Sequence, residues 1–334
     1  MITSDQTPTP LGPDVATAVE AGAVSTKTAT RRHRPRRVVL PYLLLIPGTV
    51  VMMLVHLVPM GAGIWMSLLH LNQAHLVEFL GAPFVGLQNY AYVLTDPLSP
   101  IRSNFLDALR NTLILTLVAN LLTLVIGLAG ALLISREFRG RGVARTFLLL
   151  PWVVPTYVVG LIFSFMWQPF GVVNQLLHDV LHLPVKPFWL VGPTTLLVIT
   201  VAAAWRGVPQ TMMLLAAGLT GIPRDLYEAA EVDGANAWQQ LRHVTLPMLK
   251  PVIAVILLFG LIYTIYTFNL VFAMFGGNGY PGDWGDVLMT MIFRYSFAGA
   301  NFGIGAAASV LLMAVCLGLV VIWYRVFRRE VTLT

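Results

Sequence analysis

Six apolar stretches of this chain run for 22 residues or more without an aspartate or a glutamate, and they constrain it more than any other feature. They lie at about Val38–Ser67, Leu113–Ile134, Thr146–Trp167, Thr194–Leu219, Val252–Phe275 and Ile304–Phe327. A helix needs about 20 predominantly apolar residues to cross the hydrocarbon core of a bilayer. Each stretch therefore predicts a spanning helix. The composition agrees, with 57% of residues in the AVILMFWYC set and 11% charged, against about 25% charged in a soluble domain. The mean hydropathy is +0.77. A surface this poor in charge cannot face water all round, so an ordinary soluble enzyme is excluded. The expected fold is all-α: a polytopic membrane protein with six transmembrane helices. Pro41, Pro47, Pro59, Pro151 and Pro155 lie within these stretches. They imply kinks, which membrane helices tolerate when neighbours satisfy the freed carbonyls.

Basic residues set the orientation, because cytoplasmic loops carry an excess of Lys and Arg. Lys27 and the cluster Arg31, Arg32, Arg34, Arg36 and Arg37 precede the first span. Arg136, Arg139, Arg141 and Arg145 follow the second, Arg224, Arg242 and Lys250 follow the fourth, and Arg325, Arg328 and Arg329 end the sixth. Sixteen basic residues thus fall on one side, against Arg102, Arg110, Lys186 and Arg294, four in all, on the other. Both termini of a multi-pass membrane protein are expected in the cytoplasm. The basic clusters then serve as topology anchors against lipid, and no nucleic-acid partner is expected despite the net charge of +6. The first basic cluster has the charge of a twin-arginine or secretory signal. The apolar run behind it is too long for a signal core and has no small-residue cleavage site, so an uncleaved first helix is the expectation.

The expected organisation is a disordered basic cytoplasmic tail over 1–37, rich in Pro, Thr, Ala and Gly, a transmembrane domain over 38–328, and a cytoplasmic end at 329–334. Three external segments, about 68–112, 168–193 and 276–303, are too short to be large domains. Two of them hold turn-rich stretches, Phe84-Val-Gly-Leu-Gln-Asn-Tyr90 and Gly276-Gly-Asn-Gly-Tyr-Pro-Gly-Asp283. Cys316 reads as a small packing residue and excludes an intrachain disulfide. The histidines give no metal-ligand spacing, and His178 and His182 read as a helical surface.

The cytoplasmic loop at about 220–251 stands apart. Pro223 suits the first turn of a helix, and Leu226, Ala229 and Ala230 share one face at helical spacing. Arg224 and Glu228 are placed to pair four residues apart, and Gly234 is placed to stop the helix. A second short helix at about Ala235–His243 is expected before Leu246-Pro247. From spacing alone, the loop is two short helices joined at a glycine, with a shallow alanine face. Within the spans, Arg206 is the sharpest residue, because a charge near the bilayer centre costs roughly 2.5–3.5 kcal/mol on insertion scales and normally faces a cavity or a partner. On the fifth span, Gly260, Tyr263, Thr264 and Thr267 fall on one stripe. It supplies an aromatic face and hydroxyls such as a sugar site needs, or hydrogen bonds between helices.

Glu228-Ala-Ala230, then Gly234, then Val244-x-Leu246-Pro247 closely resembles the EAA loop of ABC-importer permeases, whose pattern is Glu-Ala-Ala, three residues, Gly, nine residues, Ile-x-Leu-Pro. Six of the seven positions match, with Val244 in place of the isoleucine. Gly221-Ile-Pro-x-Asp-Leu-Tyr227, Phe84–Tyr90 and Phe302-Gly-Ile-Gly-Ala-Ala-Ala-Ser309 resemble the carbohydrate-uptake, maltose-type branch of that family. The resemblance covers about Val38 to Arg328. It implies the membrane-spanning subunit of a binding-protein-dependent ABC importer, carrying a di- or oligosaccharide and performing no covalent chemistry. No Gly-x-x-x-x-Gly-Lys-Ser/Thr phosphate loop occurs in the chain, so ATP and Mg would sit on a separate ATPase and no cofactor on this chain. The partners implied are two ATP-binding subunits, a second permease (expected to be a paralogue) and an extracytoplasmic solute-binding protein. The coupling residues implied are Asp225, Glu228, Ala229, Ala230, Asp233, Gly234, Leu246 and Pro247. Glu228 would make the polar contact with the ATPase, and the alanines would pack in its cleft. In maltose-importer permeases, the helices flanking the EAA loop line the sugar site. Aligned on that loop, the lining positions are Arg206, Gly207 and Gln210, with Tyr263, Thr264 and Thr267. An arginine there would also suit a phosphorylated polyol. The alternative is a stand-alone secondary transporter or channel, which would predict inverted repeats and intramembrane acidic residues for ion coupling. A membrane enzyme would need a clustered acid/base or metal set. The spans contain no Asp or Glu, and no such cluster is evident.

Overall fold

The computed structural model describes residues 39–75, 77, 81–182, 187–276 and 280–332. The basic tail, Lys186 and Gly277–Gly279 lie outside the described residues. The chain divides into two compact units after Leu57. The described part of the first is helix α1, Val39–Met52, which contains Pro47 and runs into a π-helical turn at Met53–Leu57. There the ring of His56 bonds the carbonyl of Met52 at 3.1 Å.

The second unit opens with α2, Val58–Met66, then α3, Gln88–Leu94, and α4, Pro100–Ser135. Pro100 starts α4, where its missing N–H costs nothing. The 36 residues of α4 reach about 54 Å at 1.5 Å per residue. That is longer than the expected span, and the added first turns bury Ile101, Phe105 and Ala108. Next come α5, Arg141–Val153, α6, Thr156–Met166, α7, Val172–Leu181, and α8, Thr195–Thr220. The sequence of the expected cytoplasmic loop forms α9, Arg224–Val232, and α10, Ala237–Gln240. The chain ends with α11, Leu246–Ile265, α12, Phe268–Phe275, α13, Leu288–Phe293, and α14, Phe302–Thr332.

Among the described residues, five stretches are long and apolar enough to cross a membrane: Tyr42–Met66, Pro100–Ser135, Gly192–Thr220, Ala237–Ile265 and Phe302–Glu330. The expected third span is a pair, α5 and α6, bent by 98°. It gives a sixth crossing if the pair is one span. The break follows from Pro155. The residue before a proline avoids the helical region, and Val154 is extended at φ −72°, ψ 128°. The expected fifth span is also shifted. It begins at Ala237 and ends at Ile265, and Tyr266 and Thr267 separate it from α12. Thr267 turns its hydroxyl to the carbonyl of Tyr263 at 3.2 Å, while its N–H bonds Thr264 instead. Side-chain bonding of this kind competes with the helical ladder.

The core lies where α4 packs along α8, with α6, α11 and α12 around them. Two of the signature stretches converge at one place. The side chain of Asn89 donates to the carbonyls of Ser67 and Leu69 at 2.8 and 2.9 Å, and Tyr90 shares a 2.6 Å bond with Ser67. Gly303 donates from its backbone to Leu71 at 2.9 Å. The two stretches thus clasp the segment after α2 to the start of α14. A second clasp holds the segment before α13 to α4. Asn111 donates to the carbonyls of Asp283 and Asp286 at 2.8 and 3.0 Å, and Thr112 accepts from Leu288 at 2.9 Å. Asp286 is buried and pairs with Arg294 at 2.6 Å. Burial pushes its carboxyl above the usual range, against the pull of Arg294 and Thr290.

Candidate functional site

The loop that resembles the EAA motif is exposed. In α9, Asp225, Glu228 and Ala229 face solvent and Ala230 is half-buried. Pro223 stands just before the helix rather than in its first turn. Arg224 Nε lies 3.3 Å from Glu228 Oε1, the spacing expected. The helix stops as the sequence implies. Gly234 takes φ +80°, its N–H bonds Glu231, and the next N–H, of Ala235, reaches back to Ala230 at 2.9 Å. That pair of bonds is the Schellman arrangement. Asp233 caps the helix, and Tyr227 ties it to Thr245 at 3.0 Å.

The second half of the loop differs from expectation. Asn236 opens α10 with a capping box, trading bonds of 2.9 and 2.7 Å with Gln239. Instead of ending before Leu246-Pro247, the chain passes through a π-helical turn at Leu241–Thr245 directly into α11. Pro247 sits in the first turn of α11, where a proline is tolerated. Leu246 is half-buried and Pro247 exposed. The loop is therefore one free helix followed by the leading turns of a span.

The other set of residues comes together on the wall of one cavity of about 450 Å³. Arg206, Gly207 and Gln210 reach it from α8, Tyr263 and Thr264 from α11, and Thr267 from the break before α12. Sequence reasoning missed the rest of the wall. Asn120 and Thr123 come from α4, Trp152 from α5, Thr156 from the start of α6 and Asn269 from the start of α12. Asn120 and Thr123, two of the three polar side chains in the run Leu113–Ile134, were the signal available. Asn120 donates to Thr116 O at 2.6 Å and to Thr264 Oγ1 at 3.3 Å, and Thr264 donates to Gly260 O at 2.8 Å. Gly260 makes this crossing fit, since a Cβ there would sit 1.8 Å from Asn120 Oδ1. Gly207 faces Thr123 in the same manner.

Arg206 is half-buried, and its Nε finds no hydrogen-bond partner among the described residues. Tyr263, Phe259 and Trp152 are largely exposed around the cavity. Among the described residues, no group of three or more His, Cys, Asp or Glu could hold a metal ion. His178 bonds Asp179, and His182 lies past the end of α7 rather than on its face.

Apolar helices around a polar cavity, joined by an exposed helical loop, define a membrane permease. The chain belongs to the family described as binding-protein-dependent transport system inner membrane component, whose model matches residues 98–333. It is 32% identical over 305 residues to the trehalose/maltose transport system permease protein MalF of Thermococcus litoralis, covering 90% of this chain and 98% of that one. It is 33% identical over 307 residues to the trehalose transport system permease protein SugA of Mycobacterium tuberculosis, covering 92% and 94%. Among solved structures, it resembles a chain of a bacterial ABC transporter involved in the import of the acidic polysaccharide alginate. The TM-score is 0.70 at 25% identity, over 87% of this chain and 95% of that one.

Proposed function

We propose that this chain forms, with a second permease, the pathway of an ATP-driven importer for a sugar. An extracytoplasmic binding protein delivers the sugar, and two ATP-binding subunits drive the cycle. ATP and Mg are held and ATP is hydrolysed on those subunits. Both termini and α9 face the cytoplasm, in keeping with the sixteen-to-four bias of basic residues. The observation that carries the reading is one of connectivity. The chain on either side of α9 runs into α8 and, through α10 and the π-helical turn, into α11, and these two helices supply or adjoin all six of the expected cavity residues. A displacement of α9 by a partner is therefore delivered by two rigid helices to the cavity walls. Such a rigid-body shift, biased by nucleotide, suffices to reface the cavity.

Each residue then has a role. Glu228 binds the ATPase, while Ala229 and Ala230 pack into its cleft beside Asp225 and Asp233. Gly234 and Leu246-Pro247 hold the lever's shape. In the cavity, Tyr263 offers an aromatic face to a sugar ring. Gln210, Thr264 and Thr267 offer amide and hydroxyl partners, Gly207 leaves room, and Arg206 supplies charge-assisted donors. The permeases named for trehalose and maltose, and the alginate importer, support a sugar as cargo.

Co-purification from mildly solubilised membranes tests the reading. Wild type should bring down an ATPase subunit, and Glu228→Ala and Gly234→Pro should lose it or its coupled uptake. If wild type recovers no ATPase under any mild condition, the importer reading fails and autonomous transport in liposomes becomes the competing account.

A further inference from the structure

The cavity is electrostatically one-sided. Among the described residues on its wall, Arg206 alone carries a formal charge. None of the ion pairs among the described residues includes it, and its buried Nε has no hydrogen-bond partner among them. Arg206 is also far from both ends of α8, Thr195–Thr220. At 1.5 Å per residue it stands about 17 Å from one end and about 21 Å from the other, beyond the reach of its side chain to a headgroup. A cation left unpaired in low-dielectric surroundings is costly, and one in a spanning helix marks a pathway or a partner.

Two further features point the same way. Thr156, the first residue of α6, and Asn269, in the first turn of α12, both line the cavity. The leading N–H groups of a helix have no acceptor within it, and its dipole places partial positive charge there. Broken helices in transporters present such ends to anionic groups of the cargo. The rest of the polar wall is neutral, and includes Asn120, Gln210, Tyr263, Thr264 and Thr267.

We infer that the cargo is a sugar bearing an anionic group, a carboxylate, phosphate or sulfonate, and that Arg206 is the residue that selects it. The inference rests on the reading of this cavity as the substrate site. The guanidinium meets such a group with two parallel N–H bonds, and the neutral wall meets the hydroxyls. A neutral sugar would leave the charge of Arg206 facing dipoles only.

The test is direct binding to the assembled importer, permeases with ATPase subunits, in lipid nanodiscs. Tryptophan fluorescence is the readout, because Trp152 lines the cavity and Trp205 adjoins Arg206. Two matched pairs serve as probes, trehalose with trehalose 6-phosphate and cellobiose with cellobiouronic acid. Wild type should bind the anionic member of at least one pair about tenfold more tightly or better, equivalent to about 1.4 kcal/mol. The pair that shows the larger preference tells phosphate from carboxylate. Arg206→Gln should reduce the preference to under about twofold, and Arg206→Lys, which keeps the charge but not the two-pronged donor, should keep only part of it. The inference is overturned if wild type binds neutral members as tightly as anionic ones, if the preference survives in Arg206→Gln, or if no probe binds. Tyr263→Ala separates the two levels. If it weakens both members of a pair equally bound, the cavity is the site and only the charge selection falls. If binding ignores both Tyr263→Ala and Arg206→Gln, the cavity reading falls with it.

Discussion

The proposed coupling helix, α9, and the cavity are built in opposite ways. Almost everything that shapes α9 lies within its own stretch of chain. Pro223 precedes it, Arg224 pairs with Glu228, Gly234 turns the backbone at φ +80°, and Asn236 caps the next helix. The cavity wall is drawn from residues as far apart as Ala119 and Leu270, on α4, α5, α6, α8, α11 and α12. A lever of the first kind keeps its shape while the bundle moves. A pocket of the second kind changes shape whenever the helices shift. A permease that reorients its cavity on a signal from outside needs both.

The largest expected effect separates them from the cavity side. A Cβ on Gly260 would stand 1.8 Å from Asn120 Oδ1 and 2.9 Å from its Cγ. Gly260→Val therefore drives the Asn120 amide out of its place at the cavity wall and breaks its bond to Thr264. Overpacking of this kind costs about 1–3 kcal/mol, and sugar uptake should fall to background. Recovery of the ATPase through α9 should stay within about twofold of wild type, because this crossing is made by α4 and α11 and not by α9. Adding Asn120→Ala should return part of the thermal stability by removing the obstructing amide. Equal loss of ATPase recovery in Gly260→Val would break the distinction between lever and pocket.

The reverse experiment is smaller in stability and aimed at the lever. Gly234→Val places a β-branched residue in the left-handed region, which costs about 1–2 kcal/mol for an ordinary residue. Its cheapest relief is to unwind the end of α9, since open space surrounds the site. Thermal unfolding of the bundle should move little, while ATPase recovery and uptake should fall together. A variant that kept full coupling with a strained Gly234 position would show that the turn is not part of the lever.

What could be read in the sequence divides along the same line. The pairing of Arg224 with Glu228 and the stop at Gly234 follow from spacing within one helix, so both were legible. Five of the six expected spans were legible too, because apolar length is a local property, whereas the remaining one turns on whether the bent pair α5 and α6 is one crossing. The breaks were not. Nothing in the hydropathy of residues 252–275 says that Thr267 turns its hydroxyl on Tyr263 and ends α11. Pro155 was visible, but the 98° bend it produces depends on what packs around it. Of the cavity, the six residues on α8, α11 and the break after it were placed by resemblance and by polarity in apolar runs. Asn120, Trp152, Thr156 and Asn269 join them only through the fold. Trp152 and Thr156 reach the wall because α5 and α6 are bent, which no periodicity encodes.

The smallest effect sharpens what the lever's residues are for. The Arg224–Glu228 pair is exposed, at 89% and 63% of its side-chain surfaces. A pair of this spacing on a helix surface stabilises by about 0.3–0.5 kcal/mol and less at high salt. Arg224→Ala should therefore leave both the melting temperature and the recovery of the ATPase within error of wild type. Glu228→Ala removes the same ion pair and so the same small helix stabilisation. If it nevertheless loses the ATPase, the carboxylate of Glu228 acts on the partner and not on α9. Equal, slight effects in the two variants would instead leave Glu228 as a surface residue, with recognition carried by the alanine face and the turn at Gly234.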